Sequence, residues 1–428
     1  MSLATVTLDD KYEAERGRVY LTGTQALVRL PLMQRRRDQA AGLNTAGYVS
    51  GYRGSPLGML DTAMGQAKRF LKSHHIAFQA GVNADLAATQ VWGTQQNDLF
   101  GDAIYDGVFA MWYGKGPGVD RSGDALRHGN LAGTSKHGGV LVLAGDDHTC
   151  KSSTTAHQSE YALMDVNIPI LNPSGVQEIL DFGLHGWAMS RYSGAWVGLK
   201  VTAETTDVAA SVDLDPVRVQ VRIPTDFDMP AGGLSIRLPA SPLAGPQALE
   251  QELRLHKYKR AAAVAYARAN QIDRVITDGP GRRFGIVTCG KSTLDVRQAL
   301  EDLGLDEAEL RRLGVSLYKV GLTWPMEPQG ARRFAEGLEE VLVVEEKRAL
   351  VENQLKQMLY DLPDGKRPRI IGKFDDAGDW ILPSADELTA TMIARAIVRR
   401  LAKLQPVPDL EARLRRMEER EAKLKTLQ

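Results

Sequence analysis

Three short stretches of this chain carry residue types able to bind or transform a small anionic molecule. Gly51-Tyr52-Arg53-Gly54-Ser55-Pro56-Leu57-Gly58 sets three glycines beside an arginine. Glycine lets a backbone approach a ligand closely, and a helix beginning near Pro56 would aim its free N–H groups at a carboxylate or phosphate. A tight strand-to-helix turn holding no ligand would read the same way. The spacing is neither GxGxxG nor a Walker loop, which argues against NAD and nucleotides.

The second stretch is Lys115-Gly116-Pro117-Gly118-Val119-Asp120-Arg121-Ser122-Gly123-Asp124. A glycine-rich loop with Lys and Arg suits an anionic substrate, since the Arg fork matches a carboxylate. The competing reading is a solvated loop with local charge pairs. The third is Gly145-Asp146-Asp147-His148-Thr149-Cys150-Lys151-Ser152-Ser153-Thr154-Thr155. Its hydroxyls, carboxylates, His and Lys suit a binding site, but sequence neighbours rarely form a nucleophile–base pair. Its spacing fits no zinc or calcium pattern. His128, His137, His157 and His185 are read as hydrogen-bonded structural histidines. Trp92, Trp112, Trp187 and Trp196 are read as packing residues.

Each stretch follows an apolar run, so the elements must place it at a strand end. Strands are expected at 46–51, 107–112, 139–144, 168–171 and 195–201, with helices over 85–101 and 176–190 between them. The run Gly139-Val140-Leu141-Val142-Leu143-Ala144 has no polar alternation, as in a strand buried on both faces. Strands alternating with helices predict an α/β fold with a parallel sheet, and ligands in such sheets bind beyond the carboxyl ends of the strands. Prolines 224, 230, 239, 242 and 246 mark a linker, followed by a charged, solvated helix over 247–269. A second α/β block carries strands at 284–290, 315–320 and 341–344, and a charged amphipathic helix fills 409–428. The expected organisation is a first domain over 1–225, linker and helix over 226–280, a second α/β domain over 281–404, and a terminal helix over 405–428.

Lys+Arg and Asp+Glu both total 53, so no net charge draws in nucleic acid or an anionic membrane. No run approaches the roughly 20 apolar residues that span a bilayer. Charged residues from Asp9 to Arg16 argue against a signal peptide. Cys150 and Cys289 form no CxxC, so no cysteine-built cluster or zinc site is expected here. Two thiols suit a reducing cytoplasm.

Taken in order, GYRGSPLG (51–58), GVN-DLAAT (81–89), WGTQQ (92–96), MWYGKGPGVDRSGDALRH (111–128), GGVLVLAGDDHTCKSSTTAHQSE (138–160) and the block 172–200 resemble the indolepyruvate ferredoxin oxidoreductase family. KVGLTWP (319–325) and VLVVEEKRALVENQLK (341–356) are similar to its transketolase-C-like domain. The resemblance implies a pyrimidine-type domain of a thiamine diphosphate enzyme followed by a transketolase-C-like domain and a C-terminal helix. It implies oxidative decarboxylation of a 2-oxoacid, of which arylpyruvates are the suggested class. Thiamine diphosphate and coenzyme A serve as cofactor and co-substrate. Gly51, Arg53, Gly54, Ser55, Pro56 and Asn83 would lie at the cofactor, and Lys115, Arg121, Lys151 and Ser152 on the substrate or coenzyme side. The diphosphate motif GDG is missing, since Gly145-Asp146-Asp147 aligns within the pyrimidine domain. Magnesium and [4Fe-4S] clusters are therefore expected on a diphosphate-binding partner subunit or on downstream domains, with a gamma-type component, ferredoxin as electron acceptor, and a homodimer. Fused relatives continue past such a terminal helix into a CxGCPH segment, so the chain is either a split subunit or a fragment.

One position departs from the family. Its GVNE motif supplies the glutamate that exchanges a proton with the aminopyrimidine, whereas this chain reads Gly81-Val82-Asn83-Ala84-Asp85. One helical step turns Asp85 about 100° from the expected direction. Asp85 could substitute through a register shift, thiamine activation could be lost, or the substitution could be engineered. A non-catalytic scaffold subunit and a non-oxidative thiamine decarboxylase or transketolase-like enzyme are the competing readings.

Overall fold

The computed structural model describes residues 6–238, 243–363 and 365–426. The chain divides into two units, Met1–Asn270 and Gln271–Gln428.

In the first unit, the antiparallel pair β1 (Arg18–Thr22) and β8 (Ala209–Asp213) lies apart from a parallel sheet. That sheet comprises β2 (Ala46–Tyr52), β3 (Ile76–Ala80), β4 (Val108–Lys115), β5 (Val140–Asp146), β6 (Ile170–Leu171) and β7 (Val197–Thr202), in the spatial order β3-β2-β4-β5-β7-β6. All seven residues of β5 are buried, as its unbroken apolar run requires. The helices include α1 (Gly23–Ala40), α2 (Leu60–Gln66), α3 (Ala84–Thr94), α4 (Gly116–Arg121), α5 (Gly123–Ala132), α6 (Val176–Ser193), α7 (Ala244–Arg254) and α8 (Arg260–Ala269). Thr22 opens α1 with a capping box closed by Gln25. Trp112, Trp187 and Trp196 are fully buried in this core.

Four expectations need correction. No helix starts at Pro56; it starts at Leu60, because Pro56 and Leu57 fold onto the end of β5 and pack at Gly145. Lys115–Asp124 is not a loop but α4 and the start of α5, with Pro117 in the first turn. The helix expected over 85–101 ends at Thr94. The next side chain, Gln95, turns inward to meet the Val108 carbonyl at 2.8 Å and the Gly139 N–H at 3.0 Å. The helix over 247–269 is interrupted by a π turn, Leu255–Lys259. Beyond that turn it is not solvated: small Ala262, Ala263 and Ala265 let α8 sit closely on α6, with Tyr266 buried.

In the second unit, β10 (Phe284–Cys289), β11 (Val315–Val320), β13 (Glu340–Val344) and β14 (Arg369–Ile371) run parallel, with β9 (Arg274–Thr277) antiparallel on β11. The short strand β12 (Leu322–Trp324) follows β11. One face is covered by α9 (Ser292–Asp302), α11 (Ala390–Leu404) and α12 (Leu410–Lys425), and the other packs around Phe334 and Leu355, with α10 (Val351–Leu359). Helix α12 is amphipathic as expected, burying Leu410 and Met417.

Candidate functional site

The order of the first sheet contains one reversal. The chain leaves β2 toward β3 on one side, returns to β4 on the other, and proceeds to β5. A crevice opens beyond the carboxyl ends of neighbouring strands at such a point, because their loops diverge. The first stretch leaves β2 there, and the second leaves β4.

Gly51, the next-to-last residue of β2, stands opposite Tyr113, and a Cβ on it would fall 2.1 Å from the Tyr113 carbonyl oxygen. Its own carbonyl accepts the Gly81 N–H at 2.8 Å, which brings the β3 end alongside. Arg53 is exposed. A Cβ on Gly54 would meet the Lys115 stem at 2.4 Å, so the β2 loop lies directly against the end of β4. Ser55–Pro56 is a cis peptide, and buried Pro56 reaches across to β5.

Asn83 caps α3, its side-chain oxygen accepting the Leu86 N–H at 2.8 Å. Ala84 is buried, and its carbonyl accepts the Trp112 indole N–H at 2.9 Å. Its methyl lies 3.4 Å from where a Gly118 Cβ would stand, so position 84 faces α4. Asp85 turns away toward Arg121, whose Nε donates to Asp85 Oδ1 at 3.0 Å. That hydrogen bond lowers the Asp85 carboxyl below its ordinary value.

The structure thus gathers Gly51, Gly54, Pro56, Asn83, Lys115 and Arg121 around neighbouring ends of β2, β3 and β4. Lys151 and Ser152 lie past the end of β5, one strand further along. Their N–H groups donate to the two Asp147 oxygens at 3.0 Å each, and the Lys151 ammonium reaches Glu204 at 3.3 Å. Among the described residues, no group of three or more His, Cys, Asp or Glu is arranged to hold a metal ion. No helix among them is long and apolar enough to cross a membrane.

Residues 273–428 match the model of the indolepyruvate ferredoxin oxidoreductase middle domain. Indolepyruvate oxidoreductase subunit IorA of Methanothermobacter marburgensis is 26% identical over 396 residues, covering 91% of this chain and 56% of that one. The chain is a relative of the indolepyruvate ferredoxin oxidoreductases. Subunit IorA of Pyrococcus abyssi is 25% identical over 395 residues, covering 91% of this chain and 53% of its own. The chain therefore spans about half the length of these curated relatives. In fold it is similar to a 2-oxoglutarate:ferredoxin oxidoreductase from Magnetococcus marinus, with TM-score 0.64, 16% identity, and 90% of this chain covering 66% of that one. A split-gene transketolase is similar at TM-score 0.50 and 12% identity, over 89% of this chain and 98% of that one. A thiamine-enzyme pyrimidine-type domain followed by a transketolase-C-like domain is the fold class these neighbours share.

In this indolepyruvate ferredoxin oxidoreductase relative, sequence reasoning missed a buried charge cluster at the same sheet edge. His157, read as a structural histidine, meets Asp120 Oδ2 of α4 at 2.8 Å and Asp146 Oδ1 at 3.5 Å. Hydrogen bonding to Asp146, reinforced by Asp120, raises its imidazolium to about 9 against the cost of burial. Burial alone would push the Asp146 carboxyl up. The His157 hydrogen bond and the Lys200 charge outweigh it and hold that carboxyl well below the usual range. Ser159 donates both its N–H (2.9 Å) and its hydroxyl (2.5 Å) to Asp146. Lys200 donates to Glu160 at 2.5 Å, yet burial still raises Glu160. The available signal was the placement of His157 in the segment after the most apolar strand.

Proposed function

We propose that this chain supplies the pyrimidine-side half of a thiamine diphosphate site in a 2-oxoacid:ferredoxin oxidoreductase acting on arylpyruvates such as indolepyruvate. The observation that carries the reading is the reversal of strand order at β2 and β4, with glycines at their carboxyl ends, in a chain whose relatives are named indolepyruvate oxidoreductase subunits. Gly54 lets the β2 loop pack against the Lys115 stem, and Gly118 has only the Ala84 methyl near its Cβ position, so the backbone can approach a flat ring closely there. The donor set is incomplete at one point, where buried Ala84 stands in place of a carboxylate.

In this reading Gly51, Arg53, Gly54, Ser55, Pro56 and Asn83 hold the aminopyrimidine side of thiamine diphosphate. When bound, that cofactor supplies the carbon nucleophile and electron sink for decarboxylation. Lys115 and Arg121 draw in the 2-oxoacid carboxylate by charge, while Lys151 and Ser152 serve the coenzyme A side. Asp85, the carboxylate at the start of α3, would exchange a proton with the cofactor ring only after turning from Arg121, which holds it ionised. Magnesium, [4Fe-4S] clusters and a gamma-type component belong to the diphosphate-binding partner or to downstream domains. Ferredoxin takes the electrons, and the assembly works as a dimer in the cytoplasm.

The test joins this chain with a partner carrying the diphosphate-binding domain and clusters, then measures 2-oxoacid-dependent dye reduction. Activity in the complete complex, and in neither part alone, is expected. A complete complex with thiamine diphosphate bound and no activity overturns the proposal. Ala84 favours a second reading, a non-catalytic subunit. Ala84→Glu separates the two, because a weakened catalyst gains activity and a scaffold gains none.

A further inference from the structure

A cavity of about 850 Å³ lies in the first unit between the last turns of α1 and α6. It belongs to the amino edge of the sheet. There the α6 side chain of Arg191 donates to the Gly138 carbonyl at 2.8 Å, and Ser190 Oγ accepts the Val140 N–H at 2.9 Å as β5 begins. The crevice described above lies at the carboxyl edge, so the two sites share no residue.

The cavity wall is largely apolar, formed by Met33, Leu184, Ala188, Tyr192, Leu214 and Val219. Most charges on its lining are already matched. Asp38 receives a bidentate fork from Arg191 at 2.7 and 2.8 Å, and Asp181 receives Arg218 at 2.9 Å. Of the arginines with no carboxylate partner among the described residues, Arg29 is held by backbone carbonyls and Arg16 is exposed, which leaves Arg37. It is half-buried, its one hydrogen bond among the described residues goes to the Pro216 carbonyl at 3.2 Å, and no carboxylate among them pairs with it. Burial pushes its guanidinium below the ordinary value, although Tyr266 and Asp38 oppose the shift. A desolvated cation with one weak acceptor retains strong capacity for an anion.

We propose that this cavity binds an amphipathic monocarboxylate, its carboxylate on Arg37 and its apolar body against the α1–α6 wall. The planar fork of arginine matches a carboxylate, and the volume is that of a small-molecule site. A single negative charge is favoured because the lining sets six arginines against five carboxylates, a balance that one added anion neutralises. A polar ion without an apolar body would leave the wall of Met33 and Leu184 uncovered.

Calorimetric titration of the full chain with 4-phenylbutyrate tests this, with 4-phenylbutanol and inorganic phosphate as controls. One-to-one binding of the carboxylate is expected, at least about tenfold tighter than the alcohol, with no saturable heat from phosphate. Arg37→Gln should weaken 4-phenylbutyrate at least about tenfold and bring it near the alcohol. Ala188→Trp fills the apolar wall without altering charge and should abolish binding of both organic ligands. Absence of saturable binding to the unmodified chain overturns the proposal, as does binding that either folded variant leaves intact. A chain that binds 4-phenylbutyrate at this cavity but is inactive with its partner refutes only the thiamine reading.

Discussion

His157 stands between two carboxylates on different elements, 2.8 Å from Asp120 on α4 and 3.5 Å from Asp146 at the end of β5. As an imidazolium it fastens the helix after β4 to the strand beside it. Because its folded value is raised to about 9, its stabilisation is complete below an unfolded value near 6.5 and is lost as pH rises through about 9. His157→Gln should destabilise the chain by on the order of 2 kcal/mol at pH 6. Thermal unfolding of both proteins should converge by pH 10, and a pH-independent gap would defeat the assignment.

Asp85 and Arg121 invite a second experiment. Asp85→Asn should lower the activity of the complete complex by roughly 10²- to 10⁴-fold, the range of general acid–base contributions. Arg121→Gln frees the Asp85 carboxyl to return toward its ordinary value, moving the acidic limb of the rate profile to higher pH. Unchanged turnover in Asp85→Asn would remove Asp85 from the mechanism. The exposed pair itself should contribute less than about 1 kcal/mol to stability.

Two glycines of the first stretch should respond very differently to a methyl group. At Gly51 it would strike the Tyr113 backbone at 2.1 Å, and backbone in the middle of a sheet cannot yield cheaply. Gly58 has its nearest obstacle at 3.8 Å. Gly51→Ala should cost about 3 kcal/mol or more, and Gly58→Ala less than about 1 kcal/mol, by chemical denaturation.

In the second unit, fully buried Arg400 grips Glu340 through Nε at 2.6 Å and Nη2 at 2.5 Å. Arg400→Met leaves the Glu340 carboxylate buried without that partner and should cost about 3–5 kcal/mol. The double variant Arg400→Met with Glu340→Leu should recover part of the loss. A double variant no more stable than the single one would show that the pair is not the cause.

Strands with an uninterrupted apolar run, such as Val140–Ala144, were readable because burial on both faces leaves no alternative pattern. Helix α1 was not. Pro31 lies within it, and Arg29 and Arg35 are buried on it, so its inward face does not read as apolar. Arg29 is tolerated there because its guanidinium meets the backbone carbonyls of Lys11 and Ala14, an arrangement no local spacing reveals. The same limit applies at the candidate site. Strand ends located the three stretches, and glycines concealed α4. The ion pairs of His157 exist only because folding brings Asp120 and Asp146, separate in sequence, onto opposite nitrogens of one ring.

Lys259, in the π turn, donates to the Asn130 and Leu131 carbonyls at 3.1 and 3.0 Å, where α5 runs out of partners. Burial lowers its ammonium to about 7, and either protonation state keeps N–H groups to donate. Cutting the chain at residue 225 would therefore do more than shed a tail. It would strip those carbonyls of their amine and uncover the α6 surface beneath α8. The smallest autonomous piece of the first unit should extend to Asn270, and anyone dissecting the protein by limited proteolysis should find the segment from Leu255 to Ala269 retained with the sheet.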